Sequence, residues 1–230
     1  MKTLVVIPAR GGSKGIPNKN LADLGGKPLI AWSVDIAHRC EHNVMITTDC
    51  EQVQDLAREW GVDCLQRPHQ LALDNTPDLP VFKHVIDHIS SGGLVYDIYE
   101  AIVHLRPTTP FRDADRINEA IQLLRDNPDA DSVRSISPVS EHPEKMWFIE
   151  QEDRDIYTRA HPYEGGMENL PRQELPQVYI HNGYVDVIRT ETITEKNSMT
   201  GNIVVPYIMD ERVIDIDTIE DLEYARYTLL

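Results

Sequence analysis

The run Ile7-Pro8-Ala9-Arg10-Gly11-Gly12-Ser13-Lys14-Gly15-Ile16-Pro17-Asn18-Lys19-Asn20 gathers three glycines and three cations into one short stretch. Glycine lets the backbone turn freely and approach a ligand closely. Successive N–H groups in such a loop form an anion-binding nest, and neighbouring cations add charge-assisted bonds to phosphate oxygens. The chemistry is that of a polyphosphate cradle. Two other phosphate loops are excluded. A Walker A loop ends in Gly-Lys-Ser/Thr, but Gly26-Lys27 is followed by Pro28, and Gly11-Gly12-Ser13-Lys14-Gly15 does not supply G-x-G-x-x-G.

A second candidate constellation lies near the other end. Asp215 and Asp217 alternate with Ile214 and Ile216, so on a strand both carboxylates point to one face. Two hard oxygen ligands beside a triphosphate suit Mg²⁺, which takes one or two carboxylates plus phosphate oxygens. The structural alternative is a helix start in which Asp217 and Glu220 form a capping arrangement. Arg106 and Arg112 flank the rigid loop Pro107-Thr108-Thr109-Pro110-Phe111 and could serve a substrate anion; Arg112 could equally pair with the acidic start of the next helix. His84 and His88 share a helix face, but Val85 stands where a zinc protease would carry glutamate, which favours packing or surface roles. No Ser/His/Asp or Cys/His set suggests a covalent intermediate. In-line attack of a substrate oxygen on the α-phosphate of a nucleoside triphosphate is the simplest chemistry these groups support, with Arg10, Lys14 and Lys19 stabilising the developing charge. Asp49, at a strand end, is a candidate helper.

Those groups need a scaffold. Leu4 to Ile7 reads as a buried strand that opens into the basic loop. Helices are expected over 28–39, 51–60 (closed by Gly61), 79–89, 113–125 and 218–229, with Pro28 in the first turn of the first and Asp113 as an N-cap. Strands are expected over 44–48, 62–65, 99–105, 130–137, 203–207 and 213–217. Asn182-Gly183 is either a hairpin turn or a bend inside one long strand, with Gly183 admitting a substrate. The alternation predicts an α/β chain with a mostly parallel sheet and flanking helices, ligands binding at the carboxyl ends of the strands. Residues 138–176 are rich in proline, charge and scattered large side chains such as Met146, Trp147 and Phe148, which suggests a β-ribbon arm packing on a second subunit. The 230 residues otherwise form a single domain, 41% hydrophobic, enough for a sizeable core. A net charge of −16 argues against nucleic acid or an anionic membrane as partner and makes the basic loop locally informative. No apolar run approaches the length of a membrane span, and the first residues read as a strand rather than a signal peptide. Cys40, Cys50 and Cys64 lack metal-type spacing and are expected to be reduced thiols of a cytoplasmic protein.

From Ile7 to Leu21 the chain closely resembles the opening motif of the acylneuraminate cytidylyltransferases. Thr47-Thr48-Asp49, Arg67-Pro68 with Leu71-Ala72, Pro107 to Arg112, Pro171-Arg172-Gln173, Asn182-Gly183 and Asp215-Ile216-Asp217-Thr218 extend the likeness in order along the whole chain. The resemblance implies a Rossmann-like nucleotidyltransferase fold, CTP as donor of CMP to a nonulosonic (sialic-acid-like) sugar acid, Mg²⁺ as cofactor, and a homodimer whose 138–176 arm reaches the partner. It implies that Arg10, Lys14 and Lys19 contact the CTP phosphates, that Asn20 touches the nucleotide, and that the backbone at Ala9 and Gly11 lies against the base. By the same resemblance Arg67 is on the cytosine side, Asp215 and Asp217 are the metal aspartates, and Arg172 is near the acceptor, a side shared by Arg106 and Asn182. The departures cluster there. Sialic-acid members usually carry glutamine at the position of Arg106, often an arginine at that of Ile180, and a Ser-rich stretch where this chain has Asp74-Asn75-Thr76-Pro77-Asp78. The extra cation would suit an acceptor with more negative charge or a differently placed carboxylate, such as a Kdo-like acid or a phosphonate. A non-catalytic nucleotide-binding module and a glycosyltransferase using a nucleotide-sugar are the remaining readings.

Overall fold

Leu4, Val5, Val6 and Ile7 are apolar without alternation, as expected of a strand covered on both faces. In the computed structural model they belong to β1 (Thr3–Pro8), inside a seven-stranded sheet. The structure describes residues 1–92, 99–150, 159–163 and 165–230. After β1 come a small hairpin, β2 (Asp23–Leu24) and β3 (Lys27–Pro28), then α1 (Leu29–Arg39), β4 (Asn43–Thr48), α2 (Glu51–Glu59) and β5 (Asp63–Gln66). The middle of the chain supplies α3 (Asp78–Ser90), β6 (Ala101–His104), α4 (Ala114–Asp126) and β7 (Ser132–Pro138). A ribbon, β8 (Trp147–Glu150) with β9 (Arg159–Pro162), precedes β10 (Tyr179–Arg189), α5 (Thr190–Thr194), β11 (Val204–Ile208) and α6 (Ile219–Tyr227).

The sheet order is β11-β7-β10-β6-β1-β4-β5, and among these strands β10 alone runs antiparallel to its neighbours. Strand parity assigns the two faces. Val5 and Ile7 pack with α1, α2 and α4, whereas Leu4 and Val6 pack with Phe82 and Val85 of α3 and Ile193 of α5. A third, smaller cluster joins Ile16, Leu29, Ile216 and Leu222. It fixes the far end of the basic loop to the segment that carries Asp215 and Asp217.

Most expected elements appear within two residues of their predicted bounds, and Asp113 caps α4 by accepting from the Asp115 N–H. Of the two alternatives for Asn182-Gly183, the bend inside one long strand is the one formed, with Gly183 at a φ of +69°. Three details differ. Pro28 precedes α1 rather than lying in its first turn. Residues 213–217 are extended but not part of the sheet, attached where the Ile216 N–H donates to the Thr108 carbonyl at 2.8 Å. Helix α6 is capped reciprocally by Thr218 and Asp221, so Asp217 and Glu220 do not form the cap. The 138–176 stretch does contain an antiparallel ribbon, β8 with β9, whose connection lies outside the described residues.

Asp131 staples the far edge of the sheet. Its buried carboxylate accepts from Lys196 Nζ and from the N–H groups of Asn202 and Ile203 at 2.7 and 3.0 Å. Those bonds, Lys196 first, hold the carboxyl well below the usual range. A depressed carboxyl adds stability above its unfolded pKa and loses it as pH falls toward the folded value. Asp131→Ala, which leaves the Asn202 and Ile203 N–H groups without their acceptor, is therefore expected to cost about 1–3 kcal/mol at pH 7. Urea unfolding should show this gap from the parent chain narrowing as pH drops below about 4.

Candidate functional site

The carboxyl ends of β1, β5 and β6 open onto one cleft of about 380 Å³, where an α/β sheet is expected to bind ligands. Arg10, Lys14, Lys19 and Asn20 line it from the basic loop, Arg67 from the end of β5, His104 and Arg106 from the end of β6, and Asp217 from the far wall. Residues separated by almost the whole chain thus meet as the cradle reading requires.

Each loop cation is already paired. Arg10 Nη1 and Lys14 Nζ each stand 2.6 Å from an oxygen of Asp74, and Lys19 Nζ lies 2.8 Å from Asp217 Oδ1. Hydrogen bonds from Lys14 and then Arg10 hold the Asp74 carboxyl below its ordinary range. The carboxylate partners are exposed, so a polyphosphate could replace them on the cations. The loop backbone is braced from behind. The Ala9 N–H donates to the Thr47 carbonyl at 3.0 Å, the Gly11 N–H donates to Asp49 Oδ1 at 2.7 Å, and Asn20 Nδ2 donates to the Arg10 carbonyl at 2.9 Å. Asp49 is thereby committed to shaping the loop. Gly15 allows the closest approach: a Cβ there would fall 2.3 Å from the Asp217 carbonyl oxygen. Arg67 is buried and donates through Nη2 to the Thr47 carbonyl at 2.9 Å, and burial lowers its pKa.

Asp215 and Asp217 are both exposed and flank buried Ile216, so their alternation survives without a strand. They border different hollows. Asp217 faces the basic cleft, while Asp215 lines an adjoining hollow of about 620 Å³ with Ser137, His181 and Asn182. Asn182 is held there by Nδ2 donating to Ser137 Oγ at 2.8 Å and Oδ1 accepting from the Tyr184 N–H at 3.0 Å. Arg172, exposed on the return from the ribbon, donates to the carbonyl of Val139, another residue of that hollow.

The position expected to carry an extra positive charge is internally balanced. Arg106 Nη1 lies 2.7 Å from Asp186 Oδ2, and its Nη2 lies 3.4 Å from Asp78 Oδ2. Asp186 is 1% exposed and is also held by Arg134 Nε at 3.1 Å and His181 Nε2 at 3.0 Å. Burial alone would raise its carboxyl, but the His181 hydrogen bond and the Arg106 charge hold it well below the usual carboxylate range. Arg106 is thus paired with two carboxylates in this structure. Among the described residues Arg112 forms no ion pair with the helix start. It donates to the carbonyls of Arg106, Gly183 and Tyr184, bracing the loop against β10, and burial brings its pKa down to about 9. His104, Arg134 and Asp186 were not singled out by sequence, while Asp74 and Asp78 entered it only as a departure on the acceptor side. The legible signal was a polar residue inside an apolar strand, as in Ala101-Ile-Val-His104-Leu105 and Tyr184-Val-Asp186-Val-Ile188. Among the described residues no group of three or more His, Cys, Asp or Glu gathers to hold a metal, and His84 and His88 remain half-buried on α3. No described helix is long and apolar enough to cross a membrane.

The cytidylyltransferase family model matches residues 4–221. The chain is 32% identical over 227 residues to the N-acylneuraminate cytidylyltransferase of Escherichia coli O18:K1:H7, covering 97% of this chain and 51% of the relative, so it spans about half of that protein's length. It is 29% identical to the CMP-N,N'-diacetyllegionaminic acid synthase of Legionella pneumophila, covering 95% of this chain and 92% of that one. The structure of a CMP:2-keto-3-deoxy-manno-octonic acid synthetase complexed with CTP superimposes with a TM-score of 0.74 at 17% identity, covering 100% of this chain and 98% of the other; it supports the nucleotidyltransferase fold. Taken with the basic loop that meets Asp217 at the carboxyl ends of a mostly parallel sheet, these matches establish that the chain belongs to the cytidylyltransferase family.

Proposed function

We propose that this chain transfers CMP from CTP to a hydroxyl of a nonulosonic sugar acid and releases pyrophosphate. The observation that carries the reading is the cleft in which Arg10, Lys14, Lys19, Arg67 and Asp217 converge beside the polar cluster of His104, Arg106 and Asp78. One side is built for a triphosphate and the other for a polar organic acceptor. The sugar oxygen attacks the α-phosphorus, the bond to the bridging oxygen breaks, and pyrophosphate departs with the electron pair. Arg10, Lys14 and Lys19 exchange their carboxylate partners for phosphate oxygens and stabilise the charge that accumulates on them. Arg67 closes the nucleotide side from behind, and Asn20 keeps the Arg10 backbone in place.

A divalent cation fits the donor set. Asp215 and Asp217 are exposed hard-oxygen ligands on either side of one buried residue, and two such carboxylates completed by phosphate and water oxygens are what Mg²⁺ prefers. When bound, it would neutralise phosphate charge and polarise the reacting phosphoryl group.

The partner in solution is a second copy of the chain. Trp147 and Ile149 on one face of the β8–β9 ribbon, and Phe148 with Tyr163 on the other, are 48–69% exposed, large apolar side chains of the kind that mark an interface. In the homodimer Arg172, carried on the return from this ribbon, serves the acceptor end of the assembled site. Three free cysteines suit a cytoplasmic setting.

Coupled detection of pyrophosphate, with CTP and a panel of sugar acids, tests the reading; release with CTP and at least one sugar acid is expected, and silence with all of them refutes it. Asp217→Ala and Lys19→Ala should each lower kcat by about 100-fold or more, the scale of losing one charge-stabilising group. Gly15→Ala, which forces the 215–217 segment away from the loop, should reduce kcat/KM for CTP by about 10-fold or more. Light scattering on Trp147→Glu with Ile149→Asp is expected to give a monomer where the parent chain gives a dimer.

A further inference from the structure

His104 ends the central strand β6, and its place there is set by register. It lies opposite Asp186 on β10 and shares the α3 face of the sheet with Ile102 and Ile188. Its ring packs on Phe82 of α3, with centroids 4.6 Å apart, and it is 1% exposed, yet it lines the cleft beside Arg106. Among the described residues neither ring nitrogen has a hydrogen-bond partner. The nearest carboxylate oxygens, on Asp78 and Asp186, stand 3.9 and 4.0 Å from Nδ1, beyond hydrogen-bonding reach.

Those two carboxylates are already engaged by Arg106, and Asp186 also by Arg134 and His181. Among the described residues these neighbouring charges are thus paired with one another, while both nitrogens of the imidazole are left without a partner. Buried polar groups are ordinarily hydrogen-bonded, and an unmet one facing a ligand cleft points to a partner that arrives with the ligand.

We propose that His104 determines acceptor specificity, its imidazole hydrogen-bonding a hydroxyl or acylamino group of the sugar acid from the wall of the cleft beside Arg106. Burial, and after it the charge of Arg106, keeps the ring neutral. A neutral imidazole offers one donor and one acceptor. A hydroxyl or an amide can answer either of them, whereas a bare phosphonate or carboxylate oxygen can only accept. Arg106 takes a supporting part, since its fork is held by Asp186 and Asp78, and it acts as a fixed wall of the site. The inference rests on the cytidylyl-transfer reading and names one determinant of its acceptor.

The test uses the full chain, CTP and three acceptors: an N-acylneuraminate, N,N'-diacetyllegionaminic acid and 2-keto-3-deoxy-manno-octonic acid. His104→Phe keeps a planar ring in the apolar strand but removes both nitrogens. It is expected to raise KM for the preferred acceptor at least about 10-fold, as a site built to hydrogen-bond a substrate loses that bond, while KM for CTP stays at the parent value and the thermal midpoint at or above it. His104→Asn, which restores a donor and an acceptor, should recover most of the loss. His104→Leu serves as the second apolar variant should the phenylalanine fail to fold. An unchanged acceptor KM in the apolar variant, or a rise shared equally by CTP, overturns the inference and leaves the transfer reading standing. Silence of the parent chain with all three acceptors refutes the transfer reading, and the inference falls with it.

Discussion

The buried carboxylate of Asp186 constrains more of this molecule than any other group. A charge at 1% exposure must be paired, because leaving it unpaired costs far more than any surface interaction returns. Its partners come from three places: Arg106 from the loop after β6, Arg134 from β7, and His181 from its own strand. The last contact is possible only because β10 is irregular. On a regular strand residues five apart face opposite ways and lie about 17 Å apart. Against β7, however, His181 pairs with Ile136 and Asp186 with Arg134, so five steps on one strand match two on the other. The bulge around Asn182 and Gly183 folds His181 back onto Asp186, brings Asn182 to Ser137, and makes room for the Arg106–Thr109 loop. Bulges beside active sites commonly re-aim side chains in this way.

The basic loop obeys a similar rule at lower stakes. A chain with a net charge of −16 concentrates Arg10, Lys14 and Lys19 in one cleft and supplies each with an acidic partner. The carboxylates that meet these cations are solvent-exposed, whereas the Asp186 carboxylate that gathers Arg106, Arg134 and His181 is buried. The two halves of the cleft therefore differ in kind. The half around the basic loop pairs its cations with exposed carboxylates on a braced backbone. The other half is a preassembled polar wall whose geometry is set by the sheet.

The two halves are joined mechanically as well as by proximity. Ile16 and Ile216 sit in one small apolar cluster with Leu29 and Leu222, and the Ile216 N–H is bonded to the loop that carries Arg106. Arg112 adds a clamp from that loop to β10. The aspartate segment is thus tied to both the basic loop and the loop that carries Arg106.

The alternation of strands and helices, the mostly parallel sheet and the gathering of cations in one glycine-rich loop were legible in the residues alone. Those follow from local rules: apolar runs and periodicity, glycine freedom, and clustering of cations in an acidic chain. The alternation of Asp215 and Asp217 about buried Ile216 was legible too, because it holds whether or not the segment joins a sheet. That Arg106 is paired with carboxylates, that Arg112 is a backbone clamp, that Thr218 rather than Asp217 caps α6, and that His104 stands unpaired among the described residues emerged from the folded arrangement. Each of these depends on a partner remote in sequence, or on a bulge that breaks the period of two on which strand reading rests. His104 and Asp186 were visible as polar residues in apolar strands. Which of them would find a partner was settled by strand register, which pairing between distant segments creates.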